Sequence, residues 1–337
     1  MQLGSRHCVM VGDPQQLPAT IFNVSGKNTK YDRSLFQRLE EAGEKVYMLN
    51  EQYRMHPKIS HFPRHIFYKG ALLDGPNVRK VDYGNPLLQA ITSRVPAFQP
   101  FTVLDLESRE EREGTSLSNS AEARLAVYLY KSLKQITNGV SASSRVAVIT
   151  PYSQQAGLLK RYFIDLLGED FTKFVEVNTV DAFQGREAKI VIFSAVRAAG
   201  SHGIGFLSDV RRMNVALTRA KHFLFVIARC KSIVVNPYWK DLVEHARDTN
   251  AVISVPILRA RKRTKGKKET QNSQGARTHL ESNLGQKGLR DCNSPTCTLS
   301  QNGYGTCTLH LHTTDALRIG SRTGCGSGIA AVGAPIR

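Results

Sequence analysis

Apolar residues in this chain fall into short blocks of two kinds. FTVLDL (101–106), RVAVITP (145–151), VEVNTV (175–180), KIVIFSAV (189–196) and HFLFVIA (222–228) are dense in β-branched and aromatic residues, as buried strands are. Between and after them, residues 119–137, 154–168, 211–220 and 236–248 carry apolar positions at helical spacing. The clearest is 119–137, where Ala123, Ala126, Val127, Tyr130 and Leu133 share one stripe. Apolar strands alternating with amphipathic helices over 101–255 predict an α/β domain, a mostly parallel sheet with helices on both faces. A shorter series precedes it: 7–13 (HCVMVGD), 34–43, 45–56 (KVYMLNEQYRMH) and 56–70 read as strand, helix, strand, helix within a first unit, 1–70. Residues 71–100, punctuated by Pro and Asn, read as a connector. After 255 the pattern stops. Gly, Ser, Thr and Asn dominate there, too few large apolar residues remain to offset the entropy of ordering, and 256–337 is expected to be a disordered tail.

With 337 residues and 41% hydrophobic content, the chain has room for two domains and at least one real core. No apolar run approaches the roughly 18 residues of a bilayer span, and Asp13 follows the first apolar run too closely for a signal peptide. The expected address is intracellular, nuclear with the cytoplasm as the alternative, and no membrane partner is expected. A net charge of +18 and a pI near 9.8 point to a polyanionic partner, because clustered Lys and Arg release counterions from phosphate backbones. The run RARKRTKGKK (259–268) reads equally as a nuclear-import or nucleic-acid patch and as a solvated basic linker. Cys8 and Cys230 lie in apolar runs, and the six cysteines are expected as reduced thiols. Cys292, Cys297, Cys307, His310, His312 and Cys325 match no compact zinc-finger spacing, and no metal site is expected from them.

Candidate chemistry clusters where apolar runs end, as expected of a parallel sheet whose ligands bind at the carboxyl ends of strands. VMVGDPQQLPAT (9–20) would present Asp13, Gln15 and Gln16 from a turn. NEQYRMHP (50–57) sets an aromatic beside an arginine at a helix start, a pairing suited to a base and a phosphate. VNTVDAFQGREAK (177–189) packs Thr179, Asp181, Gln184, Gly185 and Glu187 into one loop. MNVALTRAK (213–221) leaves Asn214, Thr218, Arg219 and Lys221 free to face a crevice. Taken singly, each also fits an ordinary turn or helix end.

Together, in this order and spacing, these segments resemble motifs III to VI of superfamily 1 helicases, in the forms seen in the up-frameshift and senataxin-like group. The resemblance covers residues 1 to about 250 and implies a RecA-like fold: the end of a first RecA-like domain, then a complete second one. It implies an ATP-driven 5′ to 3′ translocase on single-stranded RNA or DNA, acting in RNA processing or on RNA–DNA hybrids, with ATP and Mg2+ as cofactors and RNA-processing proteins as possible partners. Gln16 would sense the terminal phosphate, Tyr53 would stack on adenine, Arg54 would reach the γ-phosphate, Glu187 would hold the ribose and Gly185 would admit the nucleotide. Arg219 would be the arginine finger, a device worth on the order of 10³ to 10⁵ in rate. VITPYSQQ (148–155) resembles the family's nucleic-acid contact segment, with Thr150, Tyr152 and Gln155, and Thr179 beyond it, as candidates to bind a single strand.

The family's phosphate grip, GxxxxGK[ST], and its DExx magnesium pair do not occur in these 337 residues. The expectation is a chain that carries the sensing and finger side of the site and hydrolyses ATP poorly or not at all by itself. The alternative is a non-catalytic module that binds single-stranded nucleic acid or another protein.

Overall fold

The computed structural model describes residues 7–18, 33–137, 146–199, 203–256, 298–302 and 306–310. Its centre is a parallel sheet of six strands: β3 (Phe101–Leu106), β6 (Val146–Thr150), β7 (Val175–Thr179), β8 (Ala188–Ser194), β9 (Ala220–Ala228) and β10 (Val252–Val255), in the spatial order β10-β3-β9-β8-β6-β7. Small pairs lie outside it, β1 (Glu51–Gln52) with β2 (Leu73–Asp74), and β4 (Glu111–Glu113) with β5 (Ser116–Ser118).

Both faces of the sheet are buried, which explains why its strands are continuous apolar runs rather than alternating ones. Phe101, Val103, Ile149, Val191, Phe193, Leu224 and Val226 point to one core. The residues between them, Leu104, Val148, Ile190, Ile192, Phe223 and Phe225, point to the other. The first core is covered by α2 (Pro57–Ile66), α6 (Val210–Leu217), α7 (Cys230–Ile233) and α8 (Pro237–Asp248). The second is covered by α3 (Leu87–Arg94), α4 (Ser120–Ile136) and α5 (Ser153–Leu167). Helix starts follow capping chemistry. The side chains of Asn119, Asp209 and Asn236 accept backbone N–H groups in the first turns of α4, α6 and α8.

Two sequence expectations change. Residues 7–13 and 45–50 are not strands, and Val9, Val11, Tyr47 and Leu49 are 77 to 89% exposed. An apolar run becomes a strand only where a neighbour completes its ladder, and among the described residues no strand pairs with 7–13 or 45–49, Asn50 alone accepting the Leu73 N–H (2.6 Å) where β1 begins. The helix between them, α1 (Leu35–Glu41), has no buried residue. Second, the passage 71–100 does more than connect, since Leu87, Ile91, Val95 and Phe98 are buried in the second core, and α2 inserts Ile59 and Phe62 into the first. Within the tail, β11 (Thr298–Asn302) and β12 (Thr306–His310) form an antiparallel pair, and β12 adds in parallel to β10. The open ladder of β10 at the sheet edge supplies the backbone partners that the tail's composition lacks. The rest of the expected tail, the run 259–268 and Cys292, Cys297, His312 and Cys325 included, lies outside the described residues.

Candidate nucleotide site

Four of the ten candidate residues meet in one bonded cluster. Arg219 follows α6 directly and opens into β9, and it is only 2% exposed. Its guanidinium donates to the carbonyl of Val215 (2.9 Å), the hydroxyl of Thr218 (2.9 Å) and the amide oxygen of Gln16 (3.3 Å). Desolvation, reinforced by the nearby Arg54 charge, pushes its pKa down to about 10, so it remains a cation at neutral pH. Arg54 donates through Nε to Glu187 (2.7 Å) and through Nη1 to the carbonyl of Thr218 (3.1 Å). Glu187 pairs with Lys221 as well, and these two partners, Lys221 first, hold its carboxyl below the usual range.

The local sequence explains this convergence. Gln52 is buried, accepts the N–H groups of Arg54 (3.0 Å) and Met55 (2.7 Å), and so shapes the turn that turns Tyr53 and Arg54 outward. The start of α2 is tied to β9 by the His56 N–H donating to the Lys221 carbonyl (2.8 Å). Tyr53 stays 55% exposed, its hydroxyl bonded to Glu51, which raises its pKa. Gly185 has φ +79 and open space beside it, a conformation that favours glycine.

A second set of bonds fastens the Gln16 loop. Asp13 accepts from the Gln16 side-chain amide (2.7 Å), the Tyr68 hydroxyl (2.6 Å) and the Gln15 N–H (3.0 Å). Asn214, on α6, donates to the Tyr68 hydroxyl (3.1 Å) and to the carbonyl of Gln15 (2.9 Å). Burial, with the bond to Asp13 second, pushes the Tyr68 hydroxyl up to about 12. Gln16, Asp13, Tyr68, Asn214, Thr218 and Arg219 thus close a ring across the loop, the end of α2 and α6, with the Thr218 hydroxyl donating to the Asn214 carbonyl (2.8 Å). Sequence reading passed over Tyr68, which carries no motif and sits at the end of an amphipathic helix. Beside the ring, a cavity of about 320 Å³ is lined by residues including Gly12, Asp13, Gln16, Phe36, Gln184 and Arg211.

The cluster's place corrects the carboxyl-edge expectation. Glu187 and Arg219 precede β8 and β9, whose first residues Ala188 and Ala220 are paired, so the site lies at the amino-terminal edge of the sheet. Thr150 and Thr179, paired with each other, end β6 and β7 at the opposite edge. Residues 180–187 join the two edges across the face of the first core, where Val180 and Phe183 are buried. A helix-to-strand junction necessarily opens at the amino edge, and that is where the MNVALTRAK segment puts its arginine.

The nucleic-acid candidates divide. Thr150 and Gln155 are fully buried and Tyr152 is 3% exposed. Gln155 is consumed inside the fold, accepting the Asn119 N–H (2.8 Å) and donating to Ser194 (3.0 Å) and to the Asn119 carbonyl (3.2 Å). Tyr152 packs with Leu117 and Val196, and its hydroxyl donates to the Ile204 carbonyl (3.4 Å). Burial leaves the side chains of all three no surface to offer a strand in this conformation. Thr179 is part-exposed, and its hydroxyl accepts from the Ala182 N–H (3.3 Å).

Two guanidinium groups, a lysine and an exposed aromatic suit an anionic nucleotide in chemistry. Among the described residues no group of three His, Cys, Asp or Glu could hold a metal, and Asp13 and Glu187 are engaged with protein partners. No helix among the described residues is long and apolar enough to cross a membrane.

The AAA_12 family, described as an AAA domain, matches residues 31–231. A probable helicase of Dictyostelium discoideum is 41% identical over 76% of this chain and 25% of its own length. Helicase SEN1 of Saccharomyces cerevisiae is 37% identical over 75% of the chain and 11% of its own. The ATP-dependent helicase upf1 of Schizosaccharomyces pombe is 34% identical over 74% of the chain and 27% of its own. The chain thus spans from about a tenth to just over a quarter of the length of these relatives. Family match, relatives and the arginine cluster agree that the chain belongs to the superfamily 1 helicases of the up-frameshift and senataxin group, as part of their C-terminal helicase region.

Proposed function

We propose that this chain forms the phosphate-sensing and arginine-finger side of an ATP site that drives movement along single-stranded RNA or DNA, in RNA processing or on RNA–DNA hybrids within the nucleus. The observation that carries the reading is the bonded cluster of Gln16, Arg54, Glu187 and Arg219, drawn from four separate segments. Tyr53 would offer its ring to adenine and Glu187 its carboxylate to the ribose, while Arg54 and Arg219 would neutralise phosphate oxygens. Bound ATP would supply the energy of phosphoanhydride hydrolysis. Before Arg219 faces phosphate, its guanidinium must leave the Val215 carbonyl, the Thr218 hydroxyl and the Gln16 amide. Those released bonds would free Gln16 and loosen the ring through Asp13 and Tyr68. Because residues 180–187 run from the Thr179 edge to Glu187, a change at the nucleotide edge has a short path to the opposite edge.

The absence of GxxxxGK[ST] from the 337 residues leads us to expect little turnover by this chain alone. The rival reading, a module that binds single strands without catalysis, shares that expectation and denies a role for nucleotide. Single-strand affinity of the full chain, measured at several salt concentrations with and without ATP, separates them. Our reading predicts an affinity that changes on adding ATP and a change that Arg219→Ala abolishes. Single-strand binding indifferent to ATP favours the module, and vigorous strand-stimulated ATPase activity overturns the expectation of little turnover.

A further inference from the structure

The passage after α2, which the sequence presents as a connector, holds a set of contacts that the nucleotide reading has not used. Tyr53 lies directly on Gly75: a Cβ built on this glycine would stand 2.5 Å from Cε1 and 2.6 Å from Cδ1 of the ring. Side chains essentially never approach a Cβ that closely, so only glycine admits the ring here. Gly75 is buried, its backbone is not in the left-handed region, and its N–H donates to the Gln52 carbonyl (2.8 Å) beside the β1–β2 pair. Nearby, the Asn77 side-chain amide donates to the Tyr53 carbonyl (3.0 Å), and the Tyr83 hydroxyl donates to the Arg54 carbonyl. One stretch of nine residues, 75–83, thus seats the ring and pins the backbone of both Tyr53 and Arg54. With one face on Gly75 and the side chain 55% exposed, the tyrosine retains surface for a planar ligand.

We propose that Gly75, with Asn77 and Tyr83, is the positioning element of a base platform: it sets the plane of Tyr53 and thereby the affinity for the base of a nucleotide, as distinct from its phosphates. The inference rests on the reading of Tyr53 as a nucleotide-stacking residue. Gly75 acts through the ring and touches no ligand, so its effect disappears when the ring is removed. Arg54 and Arg219 recognise charge and are indifferent to the plane of the ring.

The test is equilibrium binding to the full 337-residue chain of two probes, ATP and inorganic tripolyphosphate, which keeps the charge and lacks the base. Gly75→Ala is expected to weaken ATP roughly 5- to 100-fold, the span of base–aromatic stacking, and to leave tripolyphosphate within twofold. In a Tyr53→Leu background, which removes the aromatic platform, Gly75→Ala should have no further effect on ATP. Thermal unfolding of each variant checks that the fold persists; if Gly75→Ala does not fold, the Tyr53→Leu double variant and Asn77→Ala carry the comparison. Equal weakening of both probes, or a Gly75→Ala effect that survives Tyr53→Leu, overturns the platform while leaving the nucleotide reading in place. Failure of the wild-type chain to bind either probe overturns both.

Discussion

Glu122 is the residue whose surroundings contradict its chemistry most. It is fully buried on α4, yet its carboxylate accepts from Ser194 Oγ (2.6 Å) and the Val196 N–H (2.8 Å). Burial outweighs these bonds and pushes its pKa up to about 8. It fixes the turn after β8, where Val196 has φ +69, a costly conformation for a β-branched residue. Between the unfolded carboxyl's value near 4.5 and pH 8 the folded chain binds more protons than the unfolded one, so stability falls as pH rises through that window. The histidines act in the opposite sense. Burial pushes His56 and His222 down to about 4 and lowers His61 and His245, so the unfolded chain takes up protons first and stability falls as pH drops from 6.5 toward 4. Urea unfolding across this range should therefore show maximal stability at about pH 6.5, with Glu122→Gln flattening the alkaline limb and steepening the acid one. A Glu122→Gln profile that retains the alkaline limb would contradict this assignment.

At the scale of elements, helices with a clear apolar stripe and the dense apolar strands of the central sheet were legible from the chain, and whether the runs at 7–13 and 45–50 find a ladder was not. The apolar stripe of residues 119–137 becomes α4 with Leu129 and Leu133 in the second core. Residues 45–50 look equally strand-like, but without a neighbouring ladder their side chains remain exposed. The α8 helix shows what a covered face is worth. Trp239 is fully buried, stacks on Phe193 at 5.8 Å between ring centroids, and donates its indole N–H to the Leu207 carbonyl (2.7 Å). This joins α8 to β8 and to the 3-10 turn preceding α6, the helix that positions Arg219. Trp239→Ala should cost about 3–5 kcal/mol in chemical denaturation, since it removes a large core side chain and leaves a buried carbonyl unpaired. A loss under about 1 kcal/mol would mean that α8 is not anchored as described.

Across the whole molecule, the four motif segments named the residues that meet in the arginine cluster but not the edge of the sheet at which they meet. Motif spelling pointed to Gln16, Arg54, Glu187 and Arg219, and the fold brings them together. It could not reveal that Thr150, Tyr152 and Gln155 are buried, because a polar residue after a strand has the same spelling whether it faces solvent or a network. Nor could it reveal Tyr68 or Gly75, whose parts arise only when distant segments meet. The central claim is that one nucleotide engages the Gln16 loop, the Tyr53–Arg54 turn and the Glu187–Arg219 junctions together. Hydrogen exchange of the full chain with and without ATP tests it most directly. The account predicts coordinated changes in residues 13–18, 51–56, 184–188 and 214–221, with α5 and α8 unaffected; exchange that is unaltered in those four segments would contradict it.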